Sequence, residues 1–385
     1  MVNSHDPSTI IVGEIKRFVD KEVIPIATEL EHRDEYPQKL IDQLRDIGVF
    51  SMTIGSEYGG LGLSFSTYAS VIEELSRGWM SLAGVINTHV IVAYAIEQFG
   101  SQEQKERWLP IMAEAQKRSA LCVTEPQAGS DVQAIKTMAV RDGDMYRVNG
   151  NKLFVSNGRN AHYYMVLCKT NPDAQPITSG MSAIIIEQDS PGLVVHKDID
   201  KLGYKGLDTV ALSFDDVNVP ISNILGEQEG QGFRHVMSGL EVGRINVASR
   251  AVGLARAAFE DAIAYSFTRQ TFGKPIFEHQ AIQMRFAEMA AKIEAARLLT
   301  RHAAEKKDLG ERSDLEAGMA KLFASEMCQE VVIDSMRVFG GYGYTKDLRA
   351  ERYYRDAPLL IVGEGTSDIQ KMVIARGLER KYRSS

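Results

Sequence analysis

Apolar and polar positions along the chain change their period twice. In the first fifty residues Ile11, Ile15, Phe18 and Val19 recur on one helical face, and Leu40, Leu44 and Ile47 form a second set, with Pro25 and Pro37 as punctuation. Residues 55–62 read as a glycine-rich turn, helical spacing resumes over 68–76 and 82–99, and after Gly100 a further helix runs to about residue 116. From 119 to 225 the apolar runs are short, β-branched and separated by turn residues, predicting strands at 138–140, 145–148, 153–155, 163–168, 181–187, 193–196 and 210–214. Asp142-Gly143 marks a hairpin turn, Asn149-Gly150 predicts another turn, and 172–179 reads as a loop. From Gly232 onwards long helices return: an alanine-rich one over 247–267, one over 278–307 with Ile282, Phe286, Met289 and Ile293 on one face, then 315–339 and 367–382.

The expected architecture is therefore α+β and multidomain. An N-terminal α-helical domain (1–118) precedes a β-sandwich or barrel domain (119–228) and a C-terminal four-helix bundle (229–385). A length of 385 residues suits two or three domains, and 44% hydrophobic with 25% charged residues is ordinary for a soluble protein. A net charge of −7 argues against nucleic acid or an anionic membrane as the main partner. Cys122, Cys168 and Cys328 are far apart and show no metal-ligand spacing, so reduced core thiols are expected and no metal. No apolar run approaches the roughly 20 residues of a bilayer span, and residues 1–8 lack the apolar core of a signal peptide and the Arg-rich character of a transit peptide. The expected location is the cytoplasm.

The candidate chemistry lies at Gly363-Glu364-Gly365-Thr366-Ser367. An apolar run ends there in a turn between two glycines, and Ser367 with Gln370 reads as a capping box opening a helix. A carboxylate so placed is pulled two ways: desolvation raises its pKa and the helix N-terminus lowers it. That setting suits a general base, although an exposed Glu in a surface turn has the same local sequence. Four further stretches stand out. Leu121 to Asp131 runs from a strand into a hydroxyl-bearing loop, and Lys152 to Gly158 ends a strand with an aromatic and a hydroxyl. Arg269 to Pro275 follows a helix, and Arg337 to Gly343 holds glycines that can expose N–H groups to an anion. Taken singly, each also reads as a common turn, core aromatic or helix cap.

Together, in this order, the stretches resemble the acyl-CoA dehydrogenase family over essentially the whole chain. The resemblance rests on Thr124-Glu-Pro with Ala128-Gly-Ser-Asp131, Arg269-x-x-Phe272-Gly273, Phe339-Gly-Gly and Glu364-Gly-Thr-Ser367. It implies an FAD enzyme that desaturates an acyl-CoA thioester, the α-proton passing to Glu364 and the β-hydride to flavin N5. It implies electron-transfer flavoprotein as acceptor and a homo-oligomer, a tetramer, with FAD contacts made across subunits. By resemblance, the flavin contacts are Leu121, Cys122, Val123, Thr124, Gly129, Ser130, Phe154, Val155 and Ser156. Further FAD contacts are Arg269, Phe272, His279, Gln280, Arg337, Gly340, Gly341, Thr366 and Asp368. Ser130, Glu241, Arg244 and Gly365 fall at the substrate. Some members carry their base directly before an arginine on an earlier helix; Gly243-Arg244 closes that route here.

Three departures stand out. Phe154-Val-Ser replaces the common Trp-Ile-Thr, Arg337 stands where glutamine is usual, and Gly363 stands where short- and medium-chain members carry Tyr. The missing ring suggests room for branched, cyclic or unsaturated acyl groups. Two other classes share the fold: flavin monooxygenases or oxidases, which usually lack the Glu base, and non-catalytic binding proteins.

Overall fold

The computed structural model describes residues 6–383. The N-terminal region is helical: α1 (Pro7–Phe18), α2 (Ala27–His32), α3 (Gln38–Ile47), α4 (Phe65–Gly78), α5 (Met80–Phe99) and α6 (Gln102–Glu114). Local chemistry sets the helix ends. Asp6 caps α1 with Pro7 in its first turn, α3 stops at left-handed Gly48, and Ser101 with Gln104 forms a capping box on α6. Contrary to the sequence expectation, α5 is long and apolar enough to cross a membrane by length and composition; 94% of that stretch is buried, which makes it a core helix.

The middle region is one curled seven-stranded sheet. Its strands are β1 (Ser119–Cys122), β2 (Met138–Asp142), β3 (Met145–Ser156), β4 (Tyr163–Lys169), β5 (Met181–Glu187), β6 (Leu193–Asp198) and β7 (Thr209–Pro220). The order is β1-β4-β2-β3-β7-β6, with β5 pairing on β4; β1 and β2 run parallel to β4 and the other pairs are antiparallel. Strand β4 is covered on both sides. Tyr164, Val166 and Cys168 enter the sheet's own core, while Tyr163, Met165 and Leu167 pack with Val92, Ile96 and Trp108 of the N-terminal helices. The turn expected at Asn149-Gly150 does not form. Strand β3 runs through it with a register shift, because Gly150 lies against Thr137, where a side chain would collide.

The C-terminal region comprises α7 (Gly232–Thr268), α8 (Gln280–Asp308), α9 (Asp314–Phe339), α10 (Ala350–Val362) and α11 (Ser367–Arg383). Helix α7 begins fifteen residues before the sequence pattern suggested, and α10 adds to the expected four helices. Phe286, Met289 and Ile293 are buried as their spacing predicted, and all three cysteines are buried and unpaired. The N-terminal and C-terminal helices share one apolar core, which runs from Ile15 and Leu75 through Val242 and Ala248 to Val331 and Leu360. The turn carrying Glu364 lies at this seam.

Candidate active site

Glu364 is positioned by its backbone neighbours before its side chain makes any contact. Helix α10 ends at Val362, extended Gly363 donates to Leu359 O at 2.8 Å, and Glu364 (φ 53°) and Gly365 (φ 85°) are both left-handed. Left-handed backbone at a non-glycine residue costs roughly 1–3 kcal/mol and needs support. Two buried side chains supply it. The Gln370 amide donates to the carbonyls of Glu364 and Gly365 at 3.1 Å each, and the Lys321 ammonium on α9 donates to Gly365 O at 2.8 Å. Burial pulls the Lys321 ammonium down to about 8, against the pull of the Glu364 carboxylate.

The predicted capping box is therefore corrected by one residue. Thr366 Oγ1 accepts from Ile369 N at 3.2 Å, Ser367 turns to Glu326, and Gln370 ties down the turn instead of the cap.

The Glu364 carboxylate meets three neighbours and is 17% exposed. Its Oε1 accepts a hydrogen bond from Asn87 of α5 and lies 3.7 Å from the Arg250 guanidinium of α7. Its Oε2 is buried without a partner and points at Gly243, where a Cβ would collide with it. Burial pushes the Glu364 carboxyl up; Arg250, the Asn87 hydrogen bond, Lys321 and Arg244 pull it back. The result is a carboxylate with one lone pair held and one oxygen free, at a raised pKa. That arrangement can take a proton from carbon.

The remaining candidates fall into three places. The first is the strand-end loops of the sheet. Cys122 and Val155 bury their side chains in the sheet core, so only their main chains can face a ligand, and Leu121 and Val123 are half-buried beside the N-terminal helices. Thr124 and Ser156 are half-buried, and Gly129 and Ser130 are exposed. Phe154 is not the core aromatic its setting allowed: it is left-handed and 59% exposed. Glu125 is the strut of this loop. It bonds Lys152 at 2.9 Å and accepts from the N–H groups of Lys136 and Thr137 at 2.6 and 3.0 Å. Burial raises its pKa, but Lys152 and these donors outweigh that and hold it at about 2.

The second place is a groove of about 470 Å³ lined by Arg269, Gly340 and Gly341 with Tyr265, Phe339 and Tyr342. The helix ends before Arg269, and Phe272-Gly273 is a left-handed hairpin turn between Gln270–Thr271 and Lys274–Pro275, not a helix cap. Phe272 is 97% exposed at its tip, edge-on to the His279 ring. His279 reaches Thr271 Oγ1 at 3.1 Å, and Gln280 opens α8. Arg337 stands outside the groove, bonded to Asp334 at 2.9 Å, and Asp368 is exposed and paired with Lys371.

The third place is α7. Glu241 bonds Lys307 at 3.3 Å, and Arg244 is buried with its Nε unpartnered. Sequence reasoning missed Asn87, Arg250, Lys321 and Tyr204. A usable signal existed for one of them, since Gly243, Asn246 and Arg250 fall on one helical face.

Comparison with known proteins identifies the family. Residues 8–116 match the acyl-CoA dehydrogenase N-terminal domain, 120–217 its middle domain and 230–379 its C-terminal domain. The chain is 38% identical to an acyl-CoA dehydrogenase of Bacillus subtilis (strain 168) over 365 residues, covering 94% of this chain and 96% of that one. The structure of butyryl-CoA dehydrogenase from Megasphaera elsdenii superposes with a TM-score of 0.94 at 36% identity, covering 98% and 99% of the two chains. A chain from the structure described as the electron transferring flavoprotein of Acidaminococcus fermentans superposes with a TM-score of 0.95 at 39% identity, covering 99% and 100%. The fold is thus that of a class of oxidoreductase, and the chain is a member of the acyl-CoA dehydrogenase family.

Proposed function

We propose that this protein is an FAD-dependent acyl-CoA dehydrogenase in which Glu364 removes the α-proton of an acyl-CoA thioester. The observation that carries the reading is the Glu364 carboxylate, with Oε1 held by Asn87 and Oε2 buried and free. Bound FAD supplies the two-electron acceptor for the β-hydride. The residues present fit such a cofactor. Gly340 and Gly341 have open space where a side chain would stand, beside Arg269 in a groove walled by aromatic rings. Gly129 is equally open in its strand-end loop, and Phe154 and Phe272 are exposed aromatics on left-handed backbone. The guanidinium of Arg269 suits a pyrophosphate, and Phe154 offers a ring face to a heterocycle.

The exposure of Phe272 and of the Gly340–Gly341 turn supports a homotetramer in which a neighbouring subunit completes the cofactor site. Electron-transfer flavoprotein is the proposed acceptor. Gln370 and Lys321 hold the base turn, and Asn87 orients the carboxylate.

The test is anaerobic mixing of the FAD-loaded protein with a panel of acyl-CoAs. Bleaching of oxidised flavin by one subset, lost in Glu364→Gln with flavin retained, is the expected result. A flavin-loaded protein bleached by none of the panel overturns the reading.

A further inference from the structure

Around the base the walls of the site are polar, which an aliphatic acyl group does not require. Gly243, Asn246 and Arg250 share one face of α7, with Gly243 against the Glu364 carboxylate. Arg250 is 5% exposed. Its Nη1 donates to the Tyr204 hydroxyl at 2.8 Å, its Nη2 stands 3.7 Å from Glu364 Oε1, beyond hydrogen-bond reach, and its Nε has no partner. Tyr204 fits there because residue 84 of α5 is glycine; a Cβ at that position would collide with the phenol. Asn246 donates to the Tyr68 hydroxyl at 2.7 Å, which leaves its own Oδ1 unpaired, as is the Oδ1 of Asn87.

The charge balance is lopsided. Arg244 and Arg250 are both buried with an unpaired Nε; Arg244 is balanced chiefly by Glu241 and Asp314, whereas Arg250 has only the Glu364 carboxylate beside it, 3.7 Å away. Lys321 adds a third cation, already tied to Gly365 O. A buried guanidinium with one hydrogen bond is an expensive arrangement, and a second carboxylate in the site would relieve it through charge-assisted bonds in fork geometry. A thioester carbonyl does not meet that need, since it brings no charge.

We propose that the acyl group taken by this site carries a free carboxylate. The substrate is a short dicarboxylic monothioester, of succinyl to adipyl length, whose far carboxylate docks on Arg250 and the Tyr204 hydroxyl. The inference rests on the reading of Glu364 as the base, because the base fixes where the α-carbon lies. Arg250 adjoins that base, so only a few bonds separate the α-carbon from the docked carboxylate. The carboxylate itself is unchanged in the reaction; the α and β C–H bonds break as in any member of the family.

Binding and turnover are measured separately, so that the two readings fail separately. FAD-loaded Glu364→Gln protein, which does not turn over, is titrated calorimetrically with succinyl-, glutaryl- and adipyl-CoA and with their uncharged counterparts, butyryl-, valeryl- and hexanoyl-CoA. At least one diacid thioester is expected to bind tenfold or more tightly than its counterpart. Adding Arg250→Gln erases that advantage, Arg250→Lys keeps part of it, and Tyr204→Phe reduces it several-fold. Uncharged thioesters binding as well as the diacids, or Arg250→Gln weakening both classes alike, overturns the proposal. If Arg250→Gln does not fold, the wild-type Arg250 background and Tyr204→Phe decide it. The same panel bleaching wild-type flavin tests dehydrogenation itself: diacid-selective binding without bleaching keeps the carboxylate subsite and removes the base reading.

Discussion

The Oε2 atom of Glu364 lies where a Cβ on residue 243 would have to stand. Residues 243 and 364 therefore compete for one volume, although α7 and the α10–α11 turn bring them from opposite ends of the bundle. Gly243→Ala is expected to push the carboxylate off its Asn87 hydrogen bond. A displacement of about 1 Å at a reacting group costs on the order of 10²-fold in rate. We expect a fall of that size in kcat with flavin content unchanged. Full activity in Gly243→Ala would show that the carboxylate is placed elsewhere during the reaction.

Glu364→Gln is expected to lose about 10²- to 10⁴-fold in flavin reduction rate, the range for removal of a general base. Its stability should move the other way. Burial raises the folded-state pKa of Glu364 above the ordinary 4.5, against the pull of Arg250 and Lys321. The folded state thus binds the proton more tightly than the unfolded one. Its stabilising contribution is complete below about pH 4.5 and disappears as pH rises through the raised value. The variant avoids the buried charge, so its Tm relative to wild type should improve between pH 4 and pH 8. Thermal melts across that range check the sign, and a Tm gap that moves against the variant would contradict it.

Glu125 and Lys152 form a buried pair beneath the strand-end loop. Removing one member leaves the other charge uncompensated, at a cost of about 3–5 kcal/mol. Glu125→Gln should therefore unfold at lower denaturant, and lose flavin affinity because the loop from Thr124 to Asp131 loses its strut. The Glu125 pKa is held at about 2, so its contribution is present above the unfolded value of 4.5 and lost as pH falls through 2. The stability gap between wild type and variant should close over that window in equilibrium denaturation.

Gln370 tests whether the base turn is held from behind. Its amide touches only the main-chain carbonyls of Glu364 and Gly365 among the contacts of the turn. Gln370→Ala removes one bond from each of the two left-handed residues; Glu364 O is left unpaired, at a cost of about 1–3 kcal/mol, while Gly365 O keeps Lys321. The expected signature is a fall in kcat of roughly tenfold with KM little changed, since Gln370 reaches the turn and not the acyl pocket. A rise in KM at constant kcat would assign it to substrate binding instead.

Much of this was legible from the chain, and the failures share a cause. Periodicity placed the buried face of α8, and short β-branched apolar runs placed β4 and β5, which are buried on both faces. The first turns of α7 were missed because Gly232, Gly239 and Gly243 weaken helix propensity. Those glycines are there for close approach: a Cβ would collide with the Ser182–Ala183 backbone at 232 and with the carboxylate at 243, and would crowd Ile91 at 239. The same reason turned Gly150 from a predicted turn into a bulge. Arg250 was hidden differently. Arg244, Arg250 and Arg256 read alike along this helix, and only the fold reveals that Arg250 is buried against the Tyr204 hydroxyl. The face that Arg250 shares with Gly243 and Asn246 was legible, but its long-range partner Tyr204 was not.

Gly363 directly precedes Glu364 at the end of α10. It caps α10 in extended conformation, and a Cβ there meets only Leu359 O at 3.1 Å and the Leu359 side chain at 3.7 Å. A side chain at 363 is therefore tolerated with a small local adjustment, and Gly363→Tyr should fold. The ring would occupy space beside the base that the wild-type protein leaves open to the acyl group. Branching at the α or β carbon needs that space, whereas a straight chain does not. Filling it with a tyrosine should lower kcat/KM for branched and cyclic acyl-CoAs by at least tenfold, the scale of a lost or clashing methylene or two in a tight pocket. Straight-chain thioesters should change little. Steady-state kinetics on matched straight and branched pairs measure the ratio, and an unchanged ratio would place the acyl group away from residue 363.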